Sequence, residues 1–250
     1  MPKILKTKGI CLTTRALRES SKLVTFYTEH FGKIIFLCKG ARNPKSKFGS
    51  ALEIFVLSEL IFYRTEPKPV YILSDAALID AFPNLQSPNK FLYANQIVEL
   101  ILRATAFEDS NYKLFSLVYS ALKNLNHIDS KKPANISSLL GAYFLKALSI
   151  LGFKPELRHC VICKNPKVAH FSIEHGGVLC NSVKHQKPNN IVDFEYAKIF
   201  KYLLAVPLSK TLGFSIPKFT QKLIQDYLTY HLEKIELHSL QFDPDFKTDF

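Results

Sequence analysis

Three cysteines in the second half of the chain have the spacing of a metal site. Cys160 and Cys163 form a C-x-x-C pair, and Cys180 follows a Gly-Gly turn. Two thiolates at this spacing bind one ion from a tight turn, and further ligands after a short hairpin complete a tetrahedral zinc knuckle. His185 is the preferred fourth ligand, at a C-x4-H spacing. We therefore predict a structural Zn²⁺ site formed by Cys160, Cys163, Cys180 and His185.

The metal prediction has an alternative, because the pattern is incomplete. A second C-x-x-C would place its last ligand at Val183, which cannot bind metal. The knuckle would then keep its fold and have lost the ion. His159, His170 and His175 lie in the same segment and are further candidate ligands. Residues 159–188 are too few to form a core of their own, so this segment must use a metal or lean on neighbouring helices.

Cations are concentrated in the first part of the chain. The net charge is +12, and residues 1–55 contribute +8 of it. A surplus gathered in one region favours a polyanionic partner over general solubility. The stretch LCKGARNPKSKFGSALEIF, residues 37–55, combines cations with Gly, Asn and Pro, which allow tight turns and close backbone approach. It is typical of a phosphate-binding loop, although an ordinary solvated loop has the same composition.

We predict that these cations bind the phosphates of a nucleic acid. One group lies in the loop, a second in a turn-like segment after the first strand, and a third flanks a strand. Bases stack on exposed aromatic rings, and Phe31 and Phe48 are the candidates because they fall in loops. The predicted contacts are Arg15, Arg18, Lys22, Lys33, Lys39, Arg42, Lys45, Lys47 and Phe48.

The first 80 residues predict a small β-barrel. Five segments rich in Val, Ile, Phe, Tyr and Thr lie near residues 7–14, 21–28, 33–39, 53–64 and 70–75. Five short strands fit an OB-fold or, alternatively, an SH3-like barrel, and such barrels bind nucleic acid on one face and in their loops. Cys11 and Cys38 lie singly in these strands, and we expect them to be small buried residues.

Residues 81–250 predict a helical domain that carries the knuckle as an insertion at about residues 155–188. Ser87 followed by Pro88 is typical of a helix start, and apolar residues recur at helical spacing from Phe91 to Leu102. Further helices are expected near residues 110–125, 133–151, 190–206 and 217–234, with Gly152 as a stop for the third. The predicted fold class is α+β, with an N-terminal OB-fold barrel and an all-α domain.

The sequence gives little indication of catalysis. It contains no P-loop, G-x-S-x-G or H-E-x-x-H motif, and Asp75, Asp80 and Asp109 are scattered. We see no signal peptide and no apolar run long enough for a membrane helix. The odd cysteine count favours a reducing cytoplasm. Two alternatives stay open: an OB-fold protein for structured RNA, and a nuclease, which would need acids clustered around a divalent metal.

Several phrases resemble the RecO family of bacterial DNA repair and recombination mediators. They are TTRALRESSKLVTFYTEHFGK (13–33), KGARNPKSKFGSALEIF (39–55), YILSDAALIDAFPNL (71–85), LGFKPELRHCVIC (151–163) with GGVLC (176–180), and LTYHLEKIELHSL (228–240). Together they span nearly the whole chain in the family's order. The chain departs from the family at Val183, where members with a complete knuckle have a fourth cysteine, and in a less basic segment at residues 237–240.

The resemblance implies an OB-fold, a helical domain and a zinc-finger-like insertion in a non-enzymatic cytoplasmic protein associated with the nucleoid. It also implies binding of single- and double-stranded DNA, annealing of complementary strands, and work with RecR and single-stranded-DNA-binding protein to load RecA. We expect the acidic C-terminal tail of the single-stranded-DNA-binding protein to occupy an apolar groove in the helical domain. The lysines expected to flank that groove are Lys201, Lys210, Lys218 and Lys222.

Overall fold

The computed structural model describes residues 3–64, 66–129, 133–182 and 191–232. Their contacts form two compact units, one that runs to residue 127 and one that begins at residue 128. The first unit holds strands and two α-helices, and the second holds a small sheet and further helices. The predicted domain boundary at residues 80 and 81 lies inside the first unit, and as a domain boundary it stays a prediction.

Five strands in the first unit close into a barrel. They are β1 (Lys3–Leu17), β2 (Ser21–Thr28), β3 (Gly32–Cys38), β4 (Leu57–Arg64) and β5 (Tyr71–Asp80). Their order is β1-β2-β3-β5-β4, and the pairing of β1 with β4 completes the ring. All pairs are antiparallel except β3 with β5, which is parallel. This five-stranded arrangement confirms the predicted OB-type architecture.

Several strand boundaries differ from the prediction, among them the start of β1 at residue 3 and the end of β5 at residue 80. β1 continues to Leu17, with a bulge between Cys11 and Thr13, so Arg15 lies in a strand rather than in a turn. A bulge bends a strand, and here β1 pairs with β4 over residues 3–10 and with β2 over residues 9–17. The fourth strand begins at residue 57 instead of 53, because residues 49–52 form a short 3-10 helix and Phe55 has a left-handed φ of 74°.

The barrel core is aromatic. Phe26, Phe36 and Phe62 are fully buried, and the ring centroids of Phe36 and Phe62 are 5.1 Å apart in an edge-to-face arrangement. Cys11 and Cys38 are buried as expected. Burial raises the pKa of the Cys38 thiol to about 12. Both cysteines are therefore inert core residues.

Two α-helices follow the barrel, α1 (Pro88–Ala104) and α2 (Tyr112–His127). Ser87 is at the N-cap and Pro88 in the first turn, as predicted. The Ser87 hydroxyl, however, donates to the Asn84 carbonyl at 2.7 Å instead of capping the helix. The apolar stripe of α1 is buried, from Ala94 to Ile101.

A buried lysine joins the barrel to α1. Lys33 on β3 is 6% exposed, and its ammonium group donates to the carbonyls of Leu102 and Thr105, both at 2.5 Å. These carbonyls lie at the end of α1, where a helix lacks internal donors and has partial negative charge. Burial lowers the pKa of Lys33. The Phe107 ring lies 4.8 Å from the ammonium nitrogen and completes its surroundings.

The second unit combines three α-helices with a small sheet. The helices are α3 (Pro133–Ile150), α4 (Phe194–Ala205) and α5 (Lys218–His231), and each lies where the sequence predicts one. The strands are β6 (His170–Ser172), β7 (Gly177–Leu179) and β8 (Ile191–Asp193), in the order β7-β6-β8. Gly152, with a left-handed φ of 100°, ends α3 as expected. Among the described helices, none has the length and apolar character needed to cross a membrane.

Aromatic packing holds the small sheet on the helices. The ring of Phe171 on β6 lies 5.5 Å from that of Phe200 on α4 and 5.6 Å from that of Tyr227 on α5. The Tyr227 hydroxyl donates to the Phe153 carbonyl at 3.2 Å. The knuckle segment thus leans on neighbouring helices, which was one of the two supports expected for a segment of its size.

Replacing Lys33 tests its role in joining the barrel to α1. Lys33→Met keeps the apolar stem and removes the donors to the α1 carbonyls. Hydrogen bonds from a charged group contribute about 1.5–3 kcal/mol, so we expect the free energy of unfolding in urea to fall by about that amount. Lys39→Met is the control, because Lys39 is exposed and has no partner in the described part of the chain. Equal losses in the two variants would contradict this role.

Candidate functional site

The three cysteines of the predicted knuckle meet in the second unit. Their sulfur atoms all lie within 4.8 Å of one another, and those of Cys163 and Cys180 are 3.4 Å apart. Cys160 and Cys180 are buried, whereas Cys163 is exposed. Three thiol groups this close can hold one metal ion. The structure therefore brings together three of the four predicted ligands.

Backbone amides set the electrostatics of Cys160. Burial acts to raise the pKa of its thiol, but amide N–H groups of Cys163, Cys180 and Ile162 donate toward the sulfur and bring the pKa to about 7. Such donors stabilise a thiolate, which is the form that binds metal. The turn itself is closed by the Lys164 amide, which donates to the Cys160 carbonyl at 2.9 Å.

The Gly-Gly sequence before Cys180 has a steric reason. A Cβ atom on Gly177 would lie 2.6 Å from the carbonyl oxygen of Glu156. That carbonyl accepts from the Val178 amide at 2.9 Å, and the Glu156 amide donates to the Gly176 carbonyl at 3.0 Å. The close approach of these two segments places β7, which ends one residue before Cys180, beside the C-x-x-C turn, where the Val161 amide donates to the Val178 carbonyl at 2.9 Å.

Two of the candidate histidines near the cluster, His170 and His175, have other side-chain partners. His170 Nε2 bonds to Asn181 Oδ1 at 3.1 Å, and His175 Nδ1 to the Ser172 hydroxyl at 3.2 Å. Within the described residues, the group able to hold a metal consists of the three cysteines without a histidine. His185 lies outside the described residues, so its role as fourth ligand stays a prediction.

In the first unit, the loop between β3 and β4 is pinned to the turn between β1 and β2. The Arg42 amide donates to the Ser20 carbonyl at 2.9 Å, and Arg42 Nη1 donates to the Arg18 carbonyl at 2.6 Å. Inside the loop, the Asn43 amide donates to the carbonyl of Gly40, which has a left-handed φ of 71°. Arg42 therefore joins two basic groups that are separate in the sequence.

We call the joined cations the basic surface. All are exposed except one, which is half-buried; they are Arg15, Arg18, Lys22, Lys39, Arg42, Lys45 and Lys47. Lys22, the half-buried one, pairs with Glu53 at 3.1 Å, and the Lys47 ammonium donates to the Ser74 carbonyl. Across the residues the structure covers, the other cations of the basic surface have no ion-pair partner. The surface therefore has a positive excess.

The structure corrects two of the predicted contacts. Lys33 uses its ammonium group on α1 and is too buried to meet a phosphate. Phe48 is 3% exposed and packs into the barrel core with Leu52, so no base can stack on it in this fold. Phe31, the other predicted stacking ring, is partly buried and lies edge-on to Phe62 at 5.6 Å. Phe48 is a core residue because the β3–β4 segment folds back over the barrel interior.

Sequence reasoning also missed an exposed aromatic side chain on the barrel. Tyr63 on β4 is 48% exposed and pairs with Ile4 across β1, far along that strand from Arg15. The signal was the alternation of β4, in which Leu60 and Phe62 face inward and Tyr63 therefore faces outward.

Replacing Phe48 separates a core role from a stacking role. We expect Phe48→Ala to lower the free energy of unfolding in urea by about 3–5 kcal/mol, because it leaves a cavity in the barrel. Tyr63→Ala is the control, an exposed ring whose loss should change stability much less. If Phe48→Ala kept normal stability and instead weakened binding of single-stranded DNA, by the roughly 1–3 kcal/mol of one stacked base, the core assignment would be wrong.

Comparison with known proteins covers both units. Residues 1–82 match the family model for Recombination protein O N terminal, and residues 85–241 match that for Recombination protein O C terminal. The chain is 30% identical over 250 residues to DNA repair protein RecO of Thermoanaerobacter sp. (strain X514), covering 96% of this chain and 97% of that protein. It is 29% identical over 238 residues to DNA repair protein RecO of Caldanaerobacter subterraneus subsp. tengcongensis, covering 92% and 94%. The protein of the same name from Bifidobacterium longum is 28% identical over 237 residues, covering 92% and 95%.

Proposed function

This chain belongs to the RecO family, and on that premise we propose that it binds single- and double-stranded DNA, anneals complementary strands and helps to load RecA onto DNA coated with single-stranded-DNA-binding protein. The basic surface carries the proposal. Its cations come from β1, β2 and the turn between them, and from the β3–β4 loop that Arg42 ties to that turn. Glu53 neutralises Lys22. Cations without acidic partners attract the phosphates of one strand or two, since backbone charge does not depend on sequence.

Annealing follows physically from the same charge. Two complementary strands repel each other, and a cationic surface that holds both screens that repulsion and raises their local concentration. The protein supplies no bond chemistry in this role. Because counterion release drives phosphate binding, both binding and annealing must weaken as the salt concentration rises.

The pairing rate of two labelled complementary oligonucleotides tests the proposal. We expect the full chain to accelerate pairing, and the acceleration to fall from low to moderate salt. The double variant Lys39→Gln/Lys45→Gln should lower the slope of log binding constant against log salt by about 0.7 for each lost single-strand contact. The matched control is Lys68→Gln/Lys113→Gln, which removes the same charge from exposed lysines outside the basic surface.

Other results would redirect the proposal. Binding without acceleration would leave a passive nucleic-acid binder, and equal losses in the two double variants would replace the basic surface with diffuse net charge. Stronger competition from RNA than from DNA of equal length would favour the RNA-binding alternative. Strand cleavage in magnesium would indicate an enzyme.

We further propose that the metal held by the knuckle is Zn²⁺, with Cys160, Cys163, Cys180 and His185 as ligands. The support is the sulfur geometry and the amide donors around Cys160. A bound Zn²⁺ supplies a structural cross-link.

Metal content tests this assignment. We expect about one zinc per chain in the purified protein, as in structural knuckles. Cys160→Ser should remove it, His185→Ala should weaken its retention, and chelation should lower the Tm. Wild-type protein without zinc, and with the same Tm in chelator, would identify a degenerate knuckle.

We propose RecR and the acidic tail of single-stranded-DNA-binding protein as protein partners in a cytoplasmic, nucleoid-associated setting. Exposed rings near the expected lysines support a tail site in the second unit. The ring centroids of Tyr196 and Phe219 are 4.3 Å apart, and those of Tyr202 and Phe214 are 5.3 Å apart, both in tilted arrangements. Alanine at Lys201, Lys210, Lys218 and Lys222 should weaken binding of a tail peptide, and alanine at exposed Lys154 should not. Unchanged affinity would remove this site.

The other two proposals have their own tests. Failure of the protein to co-sediment with RecR would rule out RecR as a partner. A fluorescent fusion that is excluded from the DNA would rule out the nucleoid setting.

A further inference from the structure

We propose that Cys163 and Cys180 are a modification site, at which a peroxide-class oxidant converts the two thiols into a reversible disulfide. The sulfurs are 3.4 Å apart, although the residues lie 17 positions apart in the chain. Only a small side-chain movement separates this arrangement from a bonded pair of about 2.05 Å. The inference concerns the knuckle alone and does not depend on DNA binding or annealing.

Access to solvent identifies Cys163 as the sulfur that the oxidant reaches first, because Cys160 and Cys180 are both buried. Cys163 is exposed, so a small oxidant reaches its sulfur directly, whereas Cys160 is fully buried. Cys160 and Cys180 belong to the same small apolar cluster with Leu179, so burial does not separate them as partners of Cys163. The Cys180 sulfur lies 3.4 Å from that of Cys163 and is therefore the partner that the oxidised Cys163 sulfur meets.

The chemistry balances with a peroxide as the oxidant. The Cys163 sulfur attacks one peroxide oxygen, the O–O bond breaks, and a sulfenic acid and one water form. The Cys180 sulfur then attacks the sulfenic sulfur, the S–O bond breaks, and the second water leaves as the S–S bond forms. The two thiols lose two electrons and two protons in total, and the peroxide gains both. An external dithiol reverses the step by exchange.

The same sulfurs cannot serve a metal and a disulfide at once. A metal bound by the three cysteines needs each sulfur as a thiolate ligand, so occupancy must slow oxidation. Oxidation must in turn remove two of the three described ligands. The knuckle then has two alternative cross-links: a metal ion bound by the cysteine thiolates, or a disulfide between Cys163 and Cys180.

Tryptic mapping of the full-length protein tests the proposal, because the sequence separates the candidates. Cleavage after Arg158 and Lys164 yields HCVICK, residues 159–164, and cleavage after Lys167 and Lys184 yields a peptide with Cys180. Chelator-treated protein exposed to hydrogen peroxide should give the two peptides joined, with loss of two hydrogens, and dithiothreitol should release them. Protein preloaded with Zn²⁺ should form the joined product more slowly.

Two variants place the bond. Cys163→Ser should abolish the joined peptides, and Cys160→Ser should retain them. A disulfide inside HCVICK would overturn the proposal in favour of Cys160 with Cys163. Joined peptides that persist in Cys163→Ser would assign the bond to Cys160 and Cys180. Oxidation of Cys163 to sulfinic acid with no cross-link would show that Cys180 does not reach it. Circular dichroism of each variant confirms that the fold is retained.

Discussion

The basic surface depends on the contact between Arg42 and the turn that joins β1 to β2. The Arg42 backbone and guanidinium both donate to main-chain carbonyls, at Ser20 and Arg18. Any residue supplies a main-chain carbonyl as an acceptor. The contact therefore requires an arginine at position 42, but at positions 18 and 20 it requires only the backbone conformation of the turn. A cation that could have been free for a phosphate instead orders the loop and keeps like charges close together. The repulsion among them is the cost, and a polyanion relieves it.

Three lysines, two of them buried and one half-buried, use their ammonium groups on main-chain carbonyls of the protein. Lys33 donates at the end of α1, Lys90 to the Asn126 carbonyl in the last turn of α2, and Lys146 to the Leu204 carbonyl in the last turn of α4. Each meets the unsatisfied carbonyls and partial negative charge of a helix C-terminus. The net charge counted from composition therefore overstates the positive charge that is accessible to a binding partner. What matters for binding is which cations remain on the outside.

Local patterns in the sequence predicted the parts of the fold that depend on interactions between residues close together in the chain. Strand alternation, the Ser87-Pro88 helix start and the C-x-x-C turn all depend on near neighbours, and all are found in the structure. The fates of Lys33 and Phe48 depend on residues far along the chain: Leu102 in one case, and the interior that the strands jointly enclose in the other. A loop composition cannot reveal that the loop covers a barrel. The joining of the two basic groups was likewise invisible, because it rests on carbonyl positions rather than on residue types.

Closure of the barrel by β1 and β4 has a consequence for how the chain acquires its structure. Lys3 pairs with Arg64, so the first strand has no complete set of partners until the fourth has left the ribosome. At synthesis rates of about 5–20 residues per second, that interval is roughly 3–12 s for about 60 residues. The hairpins of β1 with β2 and β2 with β3 are local and form early, while the leading half of β1 waits with unpaired backbone groups. The speed of translation between residues 3 and 64 therefore sets how long the unpaired half of β1 can form wrong contacts.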